Sequence, residues 1–401
     1  MRKALLVTRV SGFVPQHEMN NVKILQELGF EVHYATDLQN VVYGKDNSRL
    51  EGSGMIPHQI DFCRSPFSRK VKIAQRQLED LMLRETFDLI HCHMPMSGVV
   101  ARRAAWQVRK KTGREVPVLY TAHGFHFCHG VPWKNWLYYP IERHYARYTD
   151  RLILINQEDY RRGCHFPIRG KVVKINGVGM DLEKMAPYQK RHWQVGGDGK
   201  ECGTACDIRK HYGIPSDCGI LVTVGELAPS KNHLVAIEAM AELQDLNLVY
   251  LICGKGRMEA ALRKKVRELH LENNVCFAGY VEHIPELLQQ CDCFFFPSGR
   301  EGLPVAVMEA MAVGLPVIAA DIRGVHDLIQ HGKGGYLTKS FSHAEYAAKV
   351  RRLFAEKGSE SALSKVARRE ELGRWNQERI KGFSLEVVEK QMRQIYSEVV
   401  R

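Results

Sequence analysis

The sequence contains no apolar run long enough to cross a membrane. Its most apolar stretches, such as 152–155 and 293–297, have strand length, whereas a spanning helix needs about 20 apolar residues. The first ten residues place basic side chains before a short apolar run, but Thr8 and Arg9 interrupt that run and no small-residue cleavage site follows. We therefore expect a first β-strand there rather than a signal peptide, and a cytoplasmic protein.

The 11 cysteines follow no disulfide-framework spacing, and several lie in apolar, strand-like segments, as reduced thiols do. Cys202 and Cys206 lie near His192 and His211, but one cysteine pair in a glycine-rich stretch is a weak metal motif. We expect a surface loop there and no disulfide scaffold.

The length of 401 residues predicts two to three domains, and 45% hydrophobic with 25% charged residues is typical of a globular chain. The net charge of +12 is unevenly distributed. Residues 1–180 hold 27 Lys and Arg against 16 Asp and Glu, whereas the remainder holds 30 against 29. This asymmetry favours an anionic partner for the first half, either nucleic acid or an acidic membrane surface.

Apolar, β-rich segments recur at intervals that leave room for helices. This rhythm predicts an α/β protein with two Rossmann-like, doubly wound parallel sheets facing a cleft, in residues 1–176 and 177–383. Residues 187–207 are polar and without periodicity, as in a linker or inserted loop. The tail, 384–401, carries a helical apolar stripe, and we expect it to pack back on the first domain.

Ligands of such sheets bind beyond the carboxyl ends of strands, so the residues after each apolar segment are the candidates. In the second domain, GELAPSKN (225–232) follows one such segment. The turn 254–257 precedes a helical pattern and its N–H groups could face a phosphate, although tight turning explains its glycines equally well. The stretch 297–321 contains Glu301 and Glu309, whose carboxylates can accept hydrogen bonds from sugar and ribose hydroxyls.

Three histidines follow or end strand-like segments of the first domain. His123 precedes a glycine and is a candidate for hydrogen bonding in a cleft, although a structural histidine would fit as well. His91 and His93 suggest a metal site, but we expect their side chains to face opposite sides of the strand, and no third ligand is spaced to help. No metal site is predicted.

Together these segments resemble the retaining glycosyltransferases of family 4, which have the GT-B fold. EGLPVAVMEAMAVGLPVI is similar to that family's E-x7-E donor signature, GELAPSKN to its Gly-x5-Lys phosphate loop, and TAHG to its histidine motif. The bacterial capsular and exopolysaccharide enzymes are most similar, through DLIHCHMPMSGVVARRAA, YTAHGFHF and NWLYYPIER. The resemblance extends over nearly the whole chain, except that 187–207 has no counterpart.

The resemblance implies roles for these residues. Lys231 would neutralise the diphosphate of a nucleotide-sugar donor, with UDP the expected nucleotide, and Glu309 would bind the ribose. Glu301 would hold hydroxyls of the donor sugar, and His123 would contact that sugar from the opposite domain. The other implied donor contacts are Gly12 in a closing loop 10–16, Gly225, Glu226, Gly254, Gly256, Arg257, Tyr280, Val281, Gly302, Leu303 and Pro304.

One position departs from the family pattern. Many members have Arg where this chain has Glu226, so the usual arginine–lysine clamp is reduced to Lys231, and Arg257 or Arg323 would have to take the vacated role. The chain also lacks any Asp-x-Asp, the motif by which another glycosyltransferase fold holds a divalent metal. We expect transfer without a metal or other cofactor, with lysine and helix N-termini relieving the charge. The resemblance further implies retention of anomeric configuration through same-face attack.

Cationic side chains lie on two predicted helices of the first domain: Arg69, Lys70, Lys72, Arg76, Arg102 and Arg103. Each could be a solvated helix face, but together with the charge surplus they favour peripheral contact with an anionic inner-membrane surface that carries a lipid-linked saccharide acceptor. Nucleic acid is not expected as a partner, because no aromatic and basic residues interleave as a stacking platform requires.

Two other functions remain open. A non-hydrolysing sugar-nucleotide epimerase also has two similar domains, but it would need acid and base groups in the cleft and would act without an acceptor. A sugar-nucleotide-binding protein with a decayed site is supported only by Glu226.

Overall fold

A computed structural model describes residues 1–65, 68–190, 207–354 and 362–400. The chain forms two compact units, Met1–Gly179 with Leu385–Arg401, and Met180–Ser384. The sequence had placed these divisions at 176/177 and 383/384. Most of the predicted loop 187–207, with His192, Cys202 and Cys206, lies outside the described residues.

The first unit contains a seven-stranded parallel sheet. Its strands are β1 (Arg2–Val7), β2 (Phe30–Thr36), β3 (Met55–Gln59), β4 (Leu89–His93), β5 (Val118–Ala122), β6 (Arg151–Leu154) and β7 (Lys171–Lys174). Their order in the sheet is β3-β2-β1-β4-β5-β6-β7. Successive strands are therefore added on one side of β1 up to β3 and on the other side from β4 onwards. Such sheets bind ligands in the crevice at the carboxyl ends of the two strands where this order reverses, here β1 and β4.

Helices cover this sheet, which is why its central strands are apolar on both faces. They are α1 (Phe13–His17), α2 (Met19–Glu27), α3 (Lys70–Glu85), α4 (Pro95–Thr112), α5 (Tyr138–Ala146) and α6 (Gln157–Gly163). Pro95 starts α4 where no backbone donor is needed, and Gly113 ends it with φ of 73°. Leu78 and Leu81 of α3 pack into the core.

The second unit repeats this plan with six parallel strands. They are β8 (Gly219–Val224), β9 (Leu248–Cys253), β10 (Val275–Gly279), β11 (Cys293–Phe296), β12 (Val317–Ala320) and β13 (Gly335–Thr338). The order is β10-β9-β8-β11-β12-β13, so the direction reverses between β8 and β11. The two parallel sheets confirm the predicted pair of Rossmann-like domains.

The helices of the second unit are α7 (Leu182–Met185), α8 (Ile208–Tyr212), α9 (His233–Ala241), α10 (Glu259–Glu268), α11 (Ile284–Gln289), α12 (Val305–Val313), α13 (Val325–Leu328), α14 (His343–Phe354) and α15 (Ala362–Ile380). Most of α12 is buried, which its nearly uniform apolar composition explains. Gly314 ends α12 with φ of 95°, a conformation that favours glycine.

The last helix, α16 (Leu385–Val399), belongs to the first unit. It packs against α2, and Val388, Met392 and Tyr396 are buried. The Tyr396 hydroxyl lies 2.7 Å from Nδ1 of the buried His91. The predicted packing of the C-terminal helix on the first domain is thus confirmed. Within the described parts of the chain, no helix combines the length and the apolar character needed to cross a bilayer.

Candidate functional site

In the second unit, two predicted site residues meet at the point where the sheet order reverses. Lys231 follows β8 and Glu301 follows β11, and Lys231 Nζ lies 2.6 Å from Glu301 Oε1. The side chains remain 24% and 13% exposed, so this ion pair borders solvent. Adjacent parallel strands with diverging connections place the two loops side by side, which brings a cation and a carboxylate to one ligand-binding edge.

Short contacts hold these two loops together. The Ser298 hydroxyl donates to Glu301 Oε1 at 2.6 Å, and the Gly299 N–H donates to the Ser230 carbonyl at 2.8 Å. Lys231 Nζ also lies 5.4 Å from the centre of the Phe296 ring. The geometry around the ammonium is therefore set by the backbone as well as by the ion pair.

The loop after Glu301 is supported from the next strand. Arg323 Nε donates to the Glu301 carbonyl at 2.8 Å, so this arginine positions the loop. Gly324 has φ of 80°, and a Cβ there would lie 2.1 Å from the Gly302 carbonyl oxygen. Leu303 and Pro304 are buried at the start of α12. These contacts fix the backbone of 302–304.

Glu309 lies on α12, and burial raises its pKa to about 7. Among the described residues, no cation lies within ion-pair distance of its carboxyl group. Desolvation therefore leaves this carboxyl partly protonated near neutral pH. When protonated, such a carboxyl group can donate a hydrogen bond to a hydroxyl, and when ionised it can accept one from a hydroxyl.

The raised pKa predicts how Glu309 affects stability. Between pH 4.5, the ordinary carboxyl pKa, and about 7, the folded state holds a proton that the unfolded state has released, so the free energy of unfolding falls as pH rises. Glu309→Gln removes this dependence, and we expect the variant to melt a few degrees above the wild type at pH 8. Thermal melts from pH 4.5 to 8 measure it, with exposed Glu272→Gln as control. Parallel curves for Glu309→Gln and wild type would contradict the prediction.

Two glycines of the predicted donor loops are explained by close packing. A Cβ on Gly254 would lie 1.9 Å from the Gly225 carbonyl oxygen, and one on Gly256 would lie 2.5 Å from the Leu227 carbonyl oxygen. The Gly225 N–H donates to Cys253, and the Gly254 N–H donates to Gly279 at 2.6 Å. The Gly254 amide therefore does not point at a phosphate, and α10 begins only at Glu259, so that part of the phosphate hypothesis is wrong.

The other predicted donor residues surround these loops. Glu226 and Arg257 are exposed, Tyr280 is 69% exposed and Val281 is half-buried. Because Arg323 is committed to the Glu301 carbonyl, Arg257 is the more available cation of the two considered for the role left vacant by Glu226.

The first unit has its own polar cluster at the reversal point of its sheet. His123 follows β5, His93 ends β4, and Glu18 lies between α1 and α2. His93 Nδ1 lies 3.2 Å from His123 Nε2, and Glu18 Oε1 lies 3.3 Å from His123 Nε2 and 3.5 Å from His93 Nδ1. Glu18 was missed by the sequence interpretation. Its signal was its place in the connection after β1, at the same sheet edge as His123.

The expectation that His91 and His93 face opposite ways, without a third ligand, is wrong. Residues two apart on a strand share a face, and the two ring centroids lie 4.2 Å apart. Glu18 and His123 join His93 in a group whose ligand atoms all lie within 4.8 Å of one another. Burial lowers the pKa of His91 to about 3 and that of His93 well below its ordinary value, so both imidazoles are neutral.

Gly12 also has a packing explanation. Residues 13–17 form α1, and a Cβ on Gly12 would lie 1.8 Å from the Val42 carbonyl oxygen. The predicted closing loop 10–16 is thus partly helical, with Phe13 and Val14 buried. The next residue, His17, was not predicted as a site residue. Burial and the nearby His123 lower the pKa of His17 to about 4.

Most predicted membrane-facing cations are exposed, namely Arg69, Lys70, Lys72, Arg76 and Arg103. Arg102 is an exception, because it is 1% exposed. Arg102 Nη2 lies 2.8 Å from Glu142 Oε2, its Nε donates to the Gly98 carbonyl, and its guanidinium stacks 4.1 Å from the Tyr120 ring centre. The prediction that Arg102 contacts a membrane is wrong, since its side chain points into the core between α4 and α5.

Comparisons with known proteins agree with this architecture. The glycosyl transferase 4-like domain matches residues 17–162, and glycosyl transferases group 1 matches residues 206–370. The putative glycosyltransferase EpsD of Bacillus subtilis is 36% identical over 360 residues, which cover 88% of this chain and 87% of that protein. An Escherichia coli UDP-Gal:alpha-D-GlcNAc-diphosphoundecaprenol alpha-1,3-galactosyltransferase is 32% identical over 269 residues, which cover 65% and 64%.

Solved structures show the same fold. HepE from Anabaena, solved in complex with UDP and glucose, superposes with a TM-score of 0.75 at 18% identity over 99% of this chain and all of that one. WaaG, a glycosyltransferase of lipopolysaccharide biosynthesis, has a TM-score of 0.67 at 14% identity over 98% and 99%. Given its two doubly wound sheets, its Lys231–Glu301 pair and its extensive likeness to EpsD, the chain belongs to the GT4 glycosyltransferases, which have the GT-B fold.

Proposed function

We propose that this glycosyltransferase transfers a hexose from a UDP-sugar to a polyprenyl-diphosphate-linked saccharide in the synthesis of a surface polysaccharide. The observation that carries the proposal is the Lys231–Glu301 pair at the reversal point of the second sheet, where nucleotides bind in such folds. The named activity of the Escherichia coli relative supports the UDP donor and the diphosphate-lipid acceptor. The similarity to EpsD supports the placement in polysaccharide synthesis.

The proposed reaction retains the anomeric configuration. The bond between the sugar C1 and the leaving phosphate oxygen breaks, and a bond from C1 to the acceptor oxygen forms on the same face. The acceptor hydroxyl gives its proton to the leaving phosphate oxygen, so no side chain has to act as a nucleophile. The protein contributes positioning and stabilisation of the charge that develops on the diphosphate.

The polar groups of the two units then have the following tasks. Lys231 Nζ stabilises the developing diphosphate charge, and the backbone of 302–304, held by Arg323, contacts the sugar and phosphate. Glu301 binds donor-sugar hydroxyls and Glu309 binds the ribose. His123 contacts the donor sugar as a hydrogen-bonding group. No metal ion is required on the diphosphate in this scheme.

A transfer assay tests the proposal. A panel of UDP- and GDP-sugars is incubated with a polyprenyl-diphosphate-linked saccharide in EDTA, and the product linkage is read by NMR. We expect one UDP-sugar to give a product with the donor's anomeric configuration, at a rate that EDTA leaves unchanged. A matched reaction without acceptor is the control, because an epimerase would change the sugar there. Donor binding without transfer or hydrolysis would indicate a binding protein instead.

We also propose that the first unit docks on the cytoplasmic face of the anionic membrane that carries the acceptor. A short helical turn, Trp133–Leu137, exposes 79% of Trp133 and 61% of Leu137 beside the exposed Lys134. Indole rings and lysines are the side chains that membrane interfaces favour. The exposed cations at the start of α3 provide the charge complementarity to anionic lipid.

We expect the double variant Trp133→Ser with Leu137→Ser to bind vesicles containing anionic lipid at least about tenfold more weakly, because each side chain loses its burial in the interface. Vesicle sedimentation measures the partition. Phe341→Ser in the second unit, where the ring is 46% exposed, is the matched control and keeps wild-type binding. Equal sedimentation of all three proteins would refute the docking surface.

A further inference from the structure

The cluster formed by Glu18, His93 and His123 has an unusual spacing. The three ligand atoms form a nearly equilateral triangle with sides of 3.2, 3.3 and 3.5 Å. Charge-assisted hydrogen bonds between a carboxylate and a nitrogen are shorter, about 2.7–2.9 Å. The two imidazole nitrogens lie at the long end of the hydrogen-bond range, and the Glu18 oxygen lies farther from both nitrogens than a charge-assisted hydrogen bond allows.

A tetrahedral zinc ion accounts for this spacing. Zinc bonds to histidine nitrogen and carboxylate oxygen measure about 2.0–2.2 Å, which in a tetrahedron places neighbouring ligand atoms about 3.3–3.6 Å apart. Two histidines and one glutamate form a known class of three-residue zinc site with one open position. We propose that Glu18, His93 and His123 form a zinc-binding site in the first unit.

Neighbouring side chains contact two of the three proposed ligands, Glu18 and His93. Asn21 Nδ2 donates to the second carboxylate oxygen of Glu18, and Asn21 itself is buried. The His93 ring is fully buried, with ring centroids of His91 and Phe13 at 4.2 and 5.8 Å.

The cluster is also accessible. Glu18 and His123 line a small pocket together with Asn20, Gly177 and Glu389, and 21% of the His123 side chain is exposed. This small pocket therefore reaches two of the three proposed ligands. Because the ligands come from the connection after β1, the end of β4 and the loop after β5, a bound ion would tie three segments of this sheet edge together.

Titration of the full-length protein with zinc sulfate tests the site. After dialysis against EDTA and then buffer, calorimetry is expected to show one zinc ion whose binding depends on Glu18. We expect Glu18→Gln to weaken zinc binding by about 100-fold or more. Asn21→Ala removes the hydrogen bond to the second carboxylate oxygen of Glu18, and we expect it to weaken zinc binding by about tenfold. His343→Gln removes an exposed histidine that pairs with Glu242 in the second unit, and this control keeps wild-type affinity.

A second variant and a second readout protect the test against misfolding. His123→Asn alters a partly exposed side chain and is expected to weaken zinc binding as Glu18→Gln does. Zinc is expected to raise the melting temperature of the wild type and of His343→Gln, but not of the two ligand variants. Unchanged zinc affinity in both ligand variants, or no zinc binding to the wild type, would overturn the proposal. Neither donor nor acceptor is present, so this outcome is independent of the proposed transfer reaction.

Discussion

Replacing Lys231 with alanine is expected to lower kcat/KM for sugar transfer by about 10²–10³-fold, the range found when one stabilising donor is removed from a transition state. The ammonium lies at the reversal point of the second sheet, 2.6 Å from Glu301. Its loss leaves the developing diphosphate charge without its nearest proposed cation. Steady-state transfer assays with the purified variant measure the effect.

The fold should tolerate this change. Glu301 keeps its hydrogen bond from Ser298, and the Gly299–Ser230 backbone bond holds the loop independently of the lysine side chain. Lys265→Ala is the matched control, because Lys265 is also half-buried and lies 2.9 Å from Glu238, but on α10. We expect both variants to melt close to the wild type and only Lys231→Ala to lose activity. Near-normal turnover by Lys231→Ala would exclude its proposed role.

Replacing Arg102 with alanine is expected to destabilise the first unit by about 3–5 kcal/mol, the usual cost of leaving one member of a buried ion pair. Arg102 and Glu142 are 1% and 6% exposed in their side chains, so the variant would leave a buried carboxylate without its cation. Glu142 Oε1 would keep only the Tyr120 hydroxyl, 3.1 Å away. Urea unfolding of the wild type and of Arg102→Ala measures the difference in the free energy of unfolding.

The neighbouring residue provides the control for this prediction. Arg103 is exposed, and we expect Arg103→Ala to change the free energy of unfolding by no more than about 0.5 kcal/mol. Equal stability of the Arg102→Ala and Arg103→Ala proteins would show that the Arg102–Glu142 pair does not stabilise the unit. The two variants also separate an effect on stability from an effect on membrane contact, because Arg103, unlike Arg102, is exposed and can contact anionic lipid.

The residues at the carboxyl ends of the strands in both sheets were largely predictable. Strand-like runs followed by Gly225, His123 and Glu301 identified segments that do follow β8, β5 and β11. This works because a parallel strand and the residue just beyond it are adjacent in the chain, and strand ends at one sheet edge are close in space. The contact between Lys231 and Glu301 follows from this rule once β8 and β11 are neighbours.

Most of the errors concern partners that lie far apart in the chain, whereas the orientation of His91 and His93, two residues apart on β4, is a local exception. Arg102 looked like a surface cation because Glu142, 40 residues away, gives no local signal that it will meet the guanidinium in the core. Glu18 carries no motif, yet folding places it beside His93 and His123. The amide of Gly254 was one candidate for a phosphate contact, but the Gly279 carbonyl of the neighbouring strand accepts its hydrogen bond.

Periodicity and strand-end motifs in the amino-acid order were sufficient to predict two α/β domains and an amphipathic C-terminal helix, because these patterns depend on residues close together in the chain. The family resemblance implied the class of chemistry. Side-chain burial, the pKa of Glu309 and the composition of the Glu18–His93–His123 cluster emerged from folding. These properties depend on which segments pack together and how much water they exclude, and a local pattern contains neither.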